Sequence, residues 1–171
     1  SNRYNLGSRG LIMGGITYPG AGYKNTIEYV TISSLGNSVD FGDLTNSPNG
    51  GAGFSSKTRG FVAGGNTPEG YGVNVIQFVT IATAGNATDF GDRTIGTFNG
   101  TGSSNQTRGI FAGGHTPGLV NNVDFVTIAS TGNAVDFGDT LAAIYSQRSC
   151  SNPTRMVMGG GASPGSTNVI Q

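Results

Sequence analysis

Short apolar runs separated by Gly, Asn, Ser and Thr recur along the whole chain. One kind of run is compact and ends in two glycines, as in "GFVAGG", and a longer kind reads "VIQFVTI". The longer run is rich in β-branched and aromatic residues, which favours a strand over a helix. Its two faces are both apolar, with Ile76 and Phe78 on one and Val79 and Ile81 on the other. Such a strand is expected to lie between two layers.

Each unit of the pattern predicts four short strands, which we call a to d. In the second unit these are "AGFSSK", "FVA", "VIQFVTI" and "ATDFGDR", and strand a of the first unit is "NRYNLGS". A turn at Gly-Asn is predicted to join strands c and d, because both residues tolerate positive φ. The sequence therefore predicts an all-β protein built from units of four antiparallel strands.

The units are tandem repeats. The arginines that open strand b recur at spacings of 50, 49 and 47 residues, and a glycine pair follows each of them. Gly-Asn precedes Asp-Phe-Gly-Asp in the first three units. We therefore expect a single repeat domain over 1–171, with repeats at 1–50, 51–99 and 100–146 and an incomplete repeat at 147–171.

Four antiparallel strands in a period of about 50 residues are typical of a β-propeller blade. The runs "GLIMGG", "GFVAGG", "GIFAGG" and "MVMGGG" resemble kelch repeats, in which an apolar strand ends in Gly-Gly. Kelch blades usually carry a Trp after the third strand, and this chain has none, so Phe41, Phe90 and Phe137 are expected to fill that position. The resemblance implies an all-β, kelch-like β-propeller with about three and a half blades in this chain.

The recurring motif "VTIAxxGNAxDFGD" resembles repeat arrays in predicted tail and virion proteins of bacteriophages, particularly marine ones. That resemblance implies a virion or extracellular location. Because propellers typically have about 4 to 8 blades, we expect the chain to be part of a larger propeller or assembly. The partner that completes it is either the rest of a longer polypeptide, which we favour, or other copies of this chain.

Composition narrows the function classes. The net charge is zero and 11% of residues are charged, so there is no basic patch to track a phosphate backbone, and nucleic acid is not expected as a partner. No apolar run approaches the roughly 20 residues of a membrane span, so membrane insertion is not expected. A surface of low charge suits contacts with other copies or with neutral ligands such as glycans.

The repeated carboxylates and arginines are interpreted as structural residues of each unit rather than as catalytic residues, because a catalytic site normally occurs once in a protein. We expect one Asp of each unit to pair with an Arg, or to cap backbone N–H groups in a turn. Repeated calcium sites are the alternative, but Ca²⁺ prefers about 6–8 oxygen ligands. The residues concerned are Arg9, Arg59, Arg108, Arg155, Asp40, Asp43, Asp89, Asp92, Asp136 and Asp139.

No catalytic residue, metal ligand or cofactor is predicted. His115 is the single histidine and Cys150 the single cysteine. We expect His115 to be an exposed loop residue without the partners that a metal site or a triad needs. Cys150 is expected to pack within strand a rather than to act as a nucleophile.

Variation between the units is concentrated in two loops that are expected on one face. The b–c loop has 11, 10 and 8 residues in the first three units, and the d–a loop changes from "TNSPNG" to "TIGTFN" to "LAAIYSQ". A constant scaffold with diversified loops is typical of a binding surface, although some loop aromatics are expected simply to pack their own loops. The candidate ligand-binding residues are Tyr18, Tyr23, Lys24, Glu69, Tyr71, Phe98, His115 and Tyr145.

These observations indicate a non-catalytic structural or binding module. By resemblance it is a phage tail fibre or virion appendage that presents variable loops to host-surface glycans or proteins. One alternative is an enzyme on a propeller scaffold, galactose-oxidase-like or glycan-acting, which needs a one-off cluster of His, Tyr, Cys or carboxylates. The other is an intracellular kelch adaptor that binds a peptide, which normally shows a partner domain beside the propeller.

Overall fold

The computed structural model describes residues 8–19 and 22–171, and no residue in these ranges is helical. The first sheet contains strands β1 (Arg9–Thr17), β2 (Gly22–Thr31) and β3 (Val39–Asp43). The second contains β4 (Ala52–Ser55), β5 (Arg59–Ala63), β6 (Val75–Thr80) and β7 (Thr88–Asp92). Neighbouring strands pair antiparallel in chain order in both sheets.

The third sheet repeats this order with β8 (Thr101–Ser104), β9 (Arg108–Ala112), β12 (Asn122–Thr127) and β13 (Val135–Asp139). A small hairpin of β10 (His115–Thr116) and β11 (Gly118–Leu119) lies in its b–c loop. The fourth sheet pairs β14 (Arg148–Ser151) with β15 (Met156–Gly159). The prediction of all-β units with four antiparallel strands is confirmed for the second and third repeats. Strand a of the first repeat, predicted over 2–8, lies outside the described residues except for Ser8.

The second sheet is buried on both faces, as its apolar strand c predicts. On one face Val62 and Val79 pack with Ile27 and Phe41 of the first sheet. On the other face lies a larger cluster shared with the third sheet: Ala52, Phe61, Ala63, Ile76, Phe90, Phe111, Val126, Ile128 and Ala134. Each face of the second sheet is therefore covered by the sheet beside it.

The first strands of consecutive sheets lie side by side. The hydroxyl of Ser104 donates to the carbonyl oxygen of Ser55 at 2.7 Å, and that of Ser151 donates to the carbonyl of Ser104 at 2.6 Å. A Cβ placed on Gly102 would lie 2.9 Å from the carbonyl oxygen of Gly53. Small and hydroxylated residues in strand a thus allow this close approach of backbones.

The glycine pairs that end strand b also permit close approach. Gly113 has a φ of 60°, in the left-handed region that favours glycine, and a Cβ there would lie 2.5 Å from the carbonyl oxygen of Ile144. The adjacent Gly114 amide donates to the same carbonyl at 2.9 Å. The pair therefore seats the d–a loop that leads to the next sheet.

The Gly-Asn dipeptides connect neighbouring sheets. The amides of Gly85 and Ala87 donate to the carbonyls of Phe41 and Asp43, each at 2.7 Å, and the Asp43 amide donates to Oδ1 of Asn86 at 3.0 Å. We call this contact the outer joint.

The same outer joint forms between the second and third sheets. There the amides of Gly132 and Ala134 donate to the carbonyls of Phe90 and Asp92 at 2.8 and 2.7 Å. The Asp92 amide completes it by donating to Oδ1 of Asn133 at 3.0 Å.

The predicted position of the c–d turn is wrong. In the second sheet the chain reverses at residues 80–83, where the amide of Thr83 donates to the carbonyl of Thr80 at 3.2 Å. Gly85 and Asn86 follow this turn and bind the neighbouring sheet instead. The Gly-Asn hairpin signal reflects only the local backbone preference of the two residues. Here the dipeptide makes a tertiary contact with the neighbouring sheet.

The Asp-Phe-Gly-Asp segment forms the other half of the outer joint. In the second sheet the register shifts between Ile76 and Gln77, which leaves Phe90 as the extra residue of a β-bulge. Phe90 is 2% exposed. A Cβ on Gly91 would lie 2.5 Å from the carbonyl of Gly132, so glycine makes room for the incoming turn. The aspartates contribute main-chain groups to this contact.

The predicted pairing of repeated Asp and Arg residues is wrong within the described residues. The guanidinium of Arg9 donates to the carbonyl of Ile81, and that of Arg59 to the carbonyl of Ile128, both at 2.6 Å. Each of these arginines also lies over an aromatic ring of its own strand c, as Arg59 does over Phe78 at 4.7 Å. The arginines therefore connect successive sheets through backbone carbonyls.

The alternative role predicted for the aspartates, capping of backbone N–H groups, occurs at one site within 8–19 and 22–171. Oδ1 of Asp136 accepts from the amide of Gly138 at 3.3 Å. In the described part of the chain, the single salt bridge joins two residues outside the repeated set, Arg93 and Asp124.

Candidate functional site

The two variable loops of neighbouring units lie against each other. Isolated antiparallel bridges join the d–a loop of one unit to the b–c loop of the next, at Asn49–Asn66, Phe98–His115 and Tyr145–Ala162. The backbone contact recurs in all three places, whereas the side chains differ completely. This is the arrangement that an antiparallel unit predicts, with a common backbone and diversified side chains on one face.

Four predicted binding residues form one cluster on this face, the aromatic cluster of Tyr71, Phe98, His115 and Tyr145. The ring centroids of Tyr71 and Phe98 are 4.7 Å apart, and those of Phe98 and His115 are 5.2 Å apart. The His115 and Tyr145 rings lie 6.1 Å apart. All of these pairs are close to edge-to-face, the geometry in which aromatic pairs are stabilised beyond their buried area. The second and third units therefore contribute two residues each to a single patch.

A hydrogen bond fixes the centre of this cluster. The hydroxyl of Tyr71 and Nδ1 of His115 lie 2.9 Å apart, and the phenol donates when the neutral imidazole carries its proton on Nε2. His115 is half-buried, so the expectation of a freely exposed loop residue is wrong. Its ring is enclosed because the bridge to Phe98 draws the two loops together.

A shallow depression adjoins the aromatic cluster. Its volume is about 250 Å³, and two more predicted residues, Tyr23 and Glu69, line it together with Tyr71. The remaining lining comes from 66–68 and Gly70 of the same b–c loop. Tyr71 is 54% exposed beside this depression. An exposed ring next to a carboxylate and a side-chain amide provides an apolar surface with hydrogen-bonding groups at its edge.

Two predicted binding residues lie apart from this patch. Tyr18 is 97% exposed in the connection between β1 and β2, and Lys24 is an exposed residue of β2. Neither lines the depression beside Tyr71. The structure thus brings together six of the eight candidates and leaves these two outside.

Side chains that could hold a metal ion do not cluster in the described ranges. No group of three or more His, Cys, Asp or Glu residues comes together at 8–19 and 22–171. Cys150 is an exposed free thiol in β14, so the expectation that it is a packing residue of strand a is wrong. Residues with alternating orientation in a short strand are easily assigned to the wrong face, because a shift of one position exchanges the faces.

A buried ion pair between the second and third sheets is absent from the predicted set. Nε of Arg93 donates to Oδ2 of Asp124 at 3.0 Å, and both side chains are fully buried. Thr94 donates to the other carboxylate oxygen, and Arg93 also donates to Thr97. Burial lowers the pKa of the Arg93 guanidinium from its usual value, and the charge and hydrogen bond of Asp124 act in the opposite direction. The Arg93 guanidinium lies over the ring of Phe111 at 5.4 Å.

A comparison between units contains a signal for this pair. Arg93 occupies the position of Leu44 and Thr140, and Asp124 occupies that of Glu28 and Gln77. The equivalent contact in the preceding interface is neutral, since the Thr45 amide donates to Oε1 of Gln77 at 2.7 Å. This interface carries opposite charges at both positions, whereas the preceding interface has Leu44 and Gln77 there, and this difference marks a contact between units.

Comparisons with known proteins do not assign the chain to a family. Neither the models of known protein families nor the curated proteins yield a match. Among the described residues, no helix has the length and apolar character needed to cross a bilayer.

Proposed function

We propose that this protein is a non-catalytic binding module that presents its variable-loop face to glycans on a host surface. The observation that carries this proposal is the convergence of six predicted loop residues around one exposed tyrosine ring. Aromatic rings offer rigid apolar area to the face of a sugar, and neighbouring polar groups bind its hydroxyls. Tyr71 is the stacking residue, with Glu69 and Asn66 as the polar groups at its edge.

The architecture proposed for this module is a kelch-like β-propeller. Two features support it: the first strands of consecutive sheets lie side by side, and the second sheet is covered on both faces by its neighbours. A radial array of four-stranded sheets produces both features. In that arrangement the aromatic cluster lies across adjacent units at one end of the array.

The biological setting proposed is a phage tail fibre or other virion appendage. It rests on the resemblance of the repeated Gly-Asn and Asp-Phe-Gly-Asp motifs to phage tail and virion repeat arrays. Mass spectrometry of purified phage particles that carry this gene tests the setting. Peptides of the chain in the particles support it, and their presence only in the lysate of infected cells contradicts it.

A glycan array screened with the purified chain tests the binding proposal, followed by affinity measurements on the glycans that bind. Tyr71→Ala is expected to weaken binding at least about fivefold, as truncation of an interface anchor costs more than about 1 kcal/mol. Tyr18→Ala is the matched control, because it removes a tyrosine that is 97% exposed and outside the patch. Binding that is equally reduced by both variants, or no binding to any glycan, would contradict the proposal.

A further inference from the structure

The third sheet ends in an Asp-Phe-Gly-Asp segment that no described residue covers. Phe137 is 56% exposed, whereas its counterparts Phe41 and Phe90 are each 2% exposed. A Cβ on Gly138 would meet nothing within 4 Å, although the equivalent Cβ on Gly91 would lie 2.5 Å from the next turn. The same sequence is thus a buried joint in two places and an open surface in the third.

Arg108 shows the same difference. The equivalent arginines, Arg9 and Arg59, each donate to the carbonyl of the isoleucine that follows strand c in the next sheet, at 2.6 Å. Arg108 lies over the ring of Phe125 at 4.9 Å, as the others lie over their own rings. Its guanidinium has no hydrogen-bond acceptor within 8–19 and 22–171. It is therefore held in position for a carbonyl that these residues do not supply.

The fourth sheet presents a strand edge beside this surface. Ile170 pairs with Gly159, and Gln171 exchanges two hydrogen bonds of 2.8 Å with Met158. Further along β15, Met156 and Val157 have a pairing partner on the β14 side only. The residues equivalent to Met156 and Val157 in β5 are Gly60 and Phe61, and both pair with strand c.

A cleft of about 140 Å³ lies between the open joint and this edge. Its walls include the side chains of Arg108, Ile110, Phe137 and Met156, together with residues of the 151–155 turn. The cleft therefore joins an unpaired guanidinium, exposed apolar side chains and a free strand edge into one surface.

We propose that this surface binds a β-hairpin with the outer-strand sequence of the repeat. Its first strand reads aromatic-Val-Thr-Ile, its turn contains Gly-Asn-Ala, and its second strand is Asp-Phe-Gly-Asp. The argument is continuity with an established interface, because the outer joint already forms twice in this chain with that partner chemistry. Addition of a strand to a free edge supplies main-chain hydrogen bonds, and the joint supplies specificity.

Each part of the hairpin has a defined contact by analogy with the two covered joints. Its isoleucine carbonyl accepts from Arg108, and its Gly and Ala amides donate to the carbonyls of Phe137 and Asp139. Its asparagine side chain accepts from the Asp139 amide. A second folded copy of this chain fits less well, because its first strand c, β2, already has β1 on one edge and β3 on the other.

The probe is a labelled synthetic peptide with the sequence of residues 125–139, "FVTIASTGNAVDFGD". Fluorescence anisotropy with the full chain is expected to show saturable binding. A control peptide that carries the changes Gly132→Val and Asn133→Ala is expected not to bind, since it cannot form the joint. In the chain, Arg108→Ala is expected to weaken binding at least about tenfold, as hydrogen bonds from charged groups contribute strongly.

Arg148→Ala in the chain is the matched control and is expected to leave peptide affinity unchanged. Arg148 is an exposed arginine whose Nη1 bonds to the carbonyl of Gln147, and it does not line the cleft. Circular dichroism checks that both variants fold. Equal binding of the two peptides, no binding, or binding insensitive to Arg108→Ala would overturn the proposal. Self-association of the chain that Arg108→Ala abolishes would assign the surface to a second copy and overturn it as well.

Discussion

Two copies of one short sequence lie in contrasting environments in this molecule. At Thr88–Asp92 the segment is covered by the turn of the third sheet, whereas at Val135–Asp139 it lies open. Phe90 is 2% exposed and Phe137 is 56% exposed, although both follow an aspartate and precede Gly-Asp. The local strand and its register shift are the same in both. The neighbouring sheet, rather than the segment itself, therefore decides whether the phenylalanine is buried.

This difference explains why the Asp-Phe-Gly-Asp motif is repeated although its carboxylates form no ion pair in the described residues. In the covered copy the chain uses the carbonyl of Phe90 and both main-chain polar groups of Asp92 to bind the next turn. The carboxylate of Asp89 stays exposed. The sequence of this segment suggests an acidic site. In its covered form, however, the segment binds the next turn through its backbone and buries its phenylalanine.

Truncation of the two phenylalanines is expected to give the largest contrast. Phe90→Ala should lower the free energy of unfolding by about 3–5 kcal/mol, because it leaves a cavity beside Phe61 and Phe78. Phe137→Ala should lower it by less than about 1 kcal/mol, as expected for a residue exposed on a surface. Urea denaturation of both variants measures the difference, with an unchanged m-value as the check on cooperativity. Similar losses would show that the two environments do not differ as described.

Alanine at the two glycines of the same motif is expected to give a smaller contrast. Gly91 and Gly138 have φ values of 142° and 137°, so alanine costs about 1–3 kcal/mol of backbone strain at either position. At Gly91 the new methyl group also meets the peptide group of Gly132, which adds about 1–3 kcal/mol of overpacking. The difference in unfolding free energy between the two variants isolates the joint. If Gly138→Ala is the more destabilising variant, the covered joint does not explain the glycine.

The smallest contrast concerns the asparagines of the joint. Asn133→Ala removes the acceptor for the Asp92 amide and should cost about 0.5–1.5 kcal/mol. Asn37 occupies the same position in the first sheet, and among the described residues its side chain accepts no such bond. Asn37→Ala should therefore leave the unfolding free energy almost unchanged. Thermal unfolding of the two variants in parallel measures the contrast, and equal shifts would speak against the joint.

Much of the fold follows from the sequence because repetition multiplies a weak local signal. The apolar run of strand c and the glycine pair of strand b recur at constant spacing, so their strands and their order could be predicted. Burial of the second sheet on both faces followed from Ile76 and Val79 on opposite sides of one strand.

The contacts between units could not be predicted in the same way. A repeated Arg and a repeated Asp suggest an ion pair, yet Arg59 donates to a backbone carbonyl of the next unit. Every residue has a backbone carbonyl, so the sequence does not indicate which one accepts the hydrogen bond. Likewise, Gly-Asn suggests a local turn, but its amides bind the preceding sheet. Side-chain patterns report which residues are buried, and main-chain partners depend on how units are placed.

The candidate site was predictable to the level of a face. Variation in loop length and content identified the loops that carry Tyr71, Phe98, His115 and Tyr145. The hydrogen bond between Tyr71 and His115 was not predictable, because it joins residues of two units across a loop contact. Repeat variation therefore locates the surface, whereas the arrangement of its side chains requires the structure.

Amide hydrogen exchange measured by NMR tests most directly whether the Gly-Asn-Ala turns hold neighbouring sheets together. The amides of Gly132 and Ala134 donate to the second sheet, whereas the equivalent amides of Gly36 and Ser38 have no acceptor among the described residues. Exchange at Gly132 and Ala134 is predicted to be strongly retarded, with Gly36 and Ser38 exchanging at rates close to those of an unstructured peptide. Fast exchange at all four amides would contradict the account.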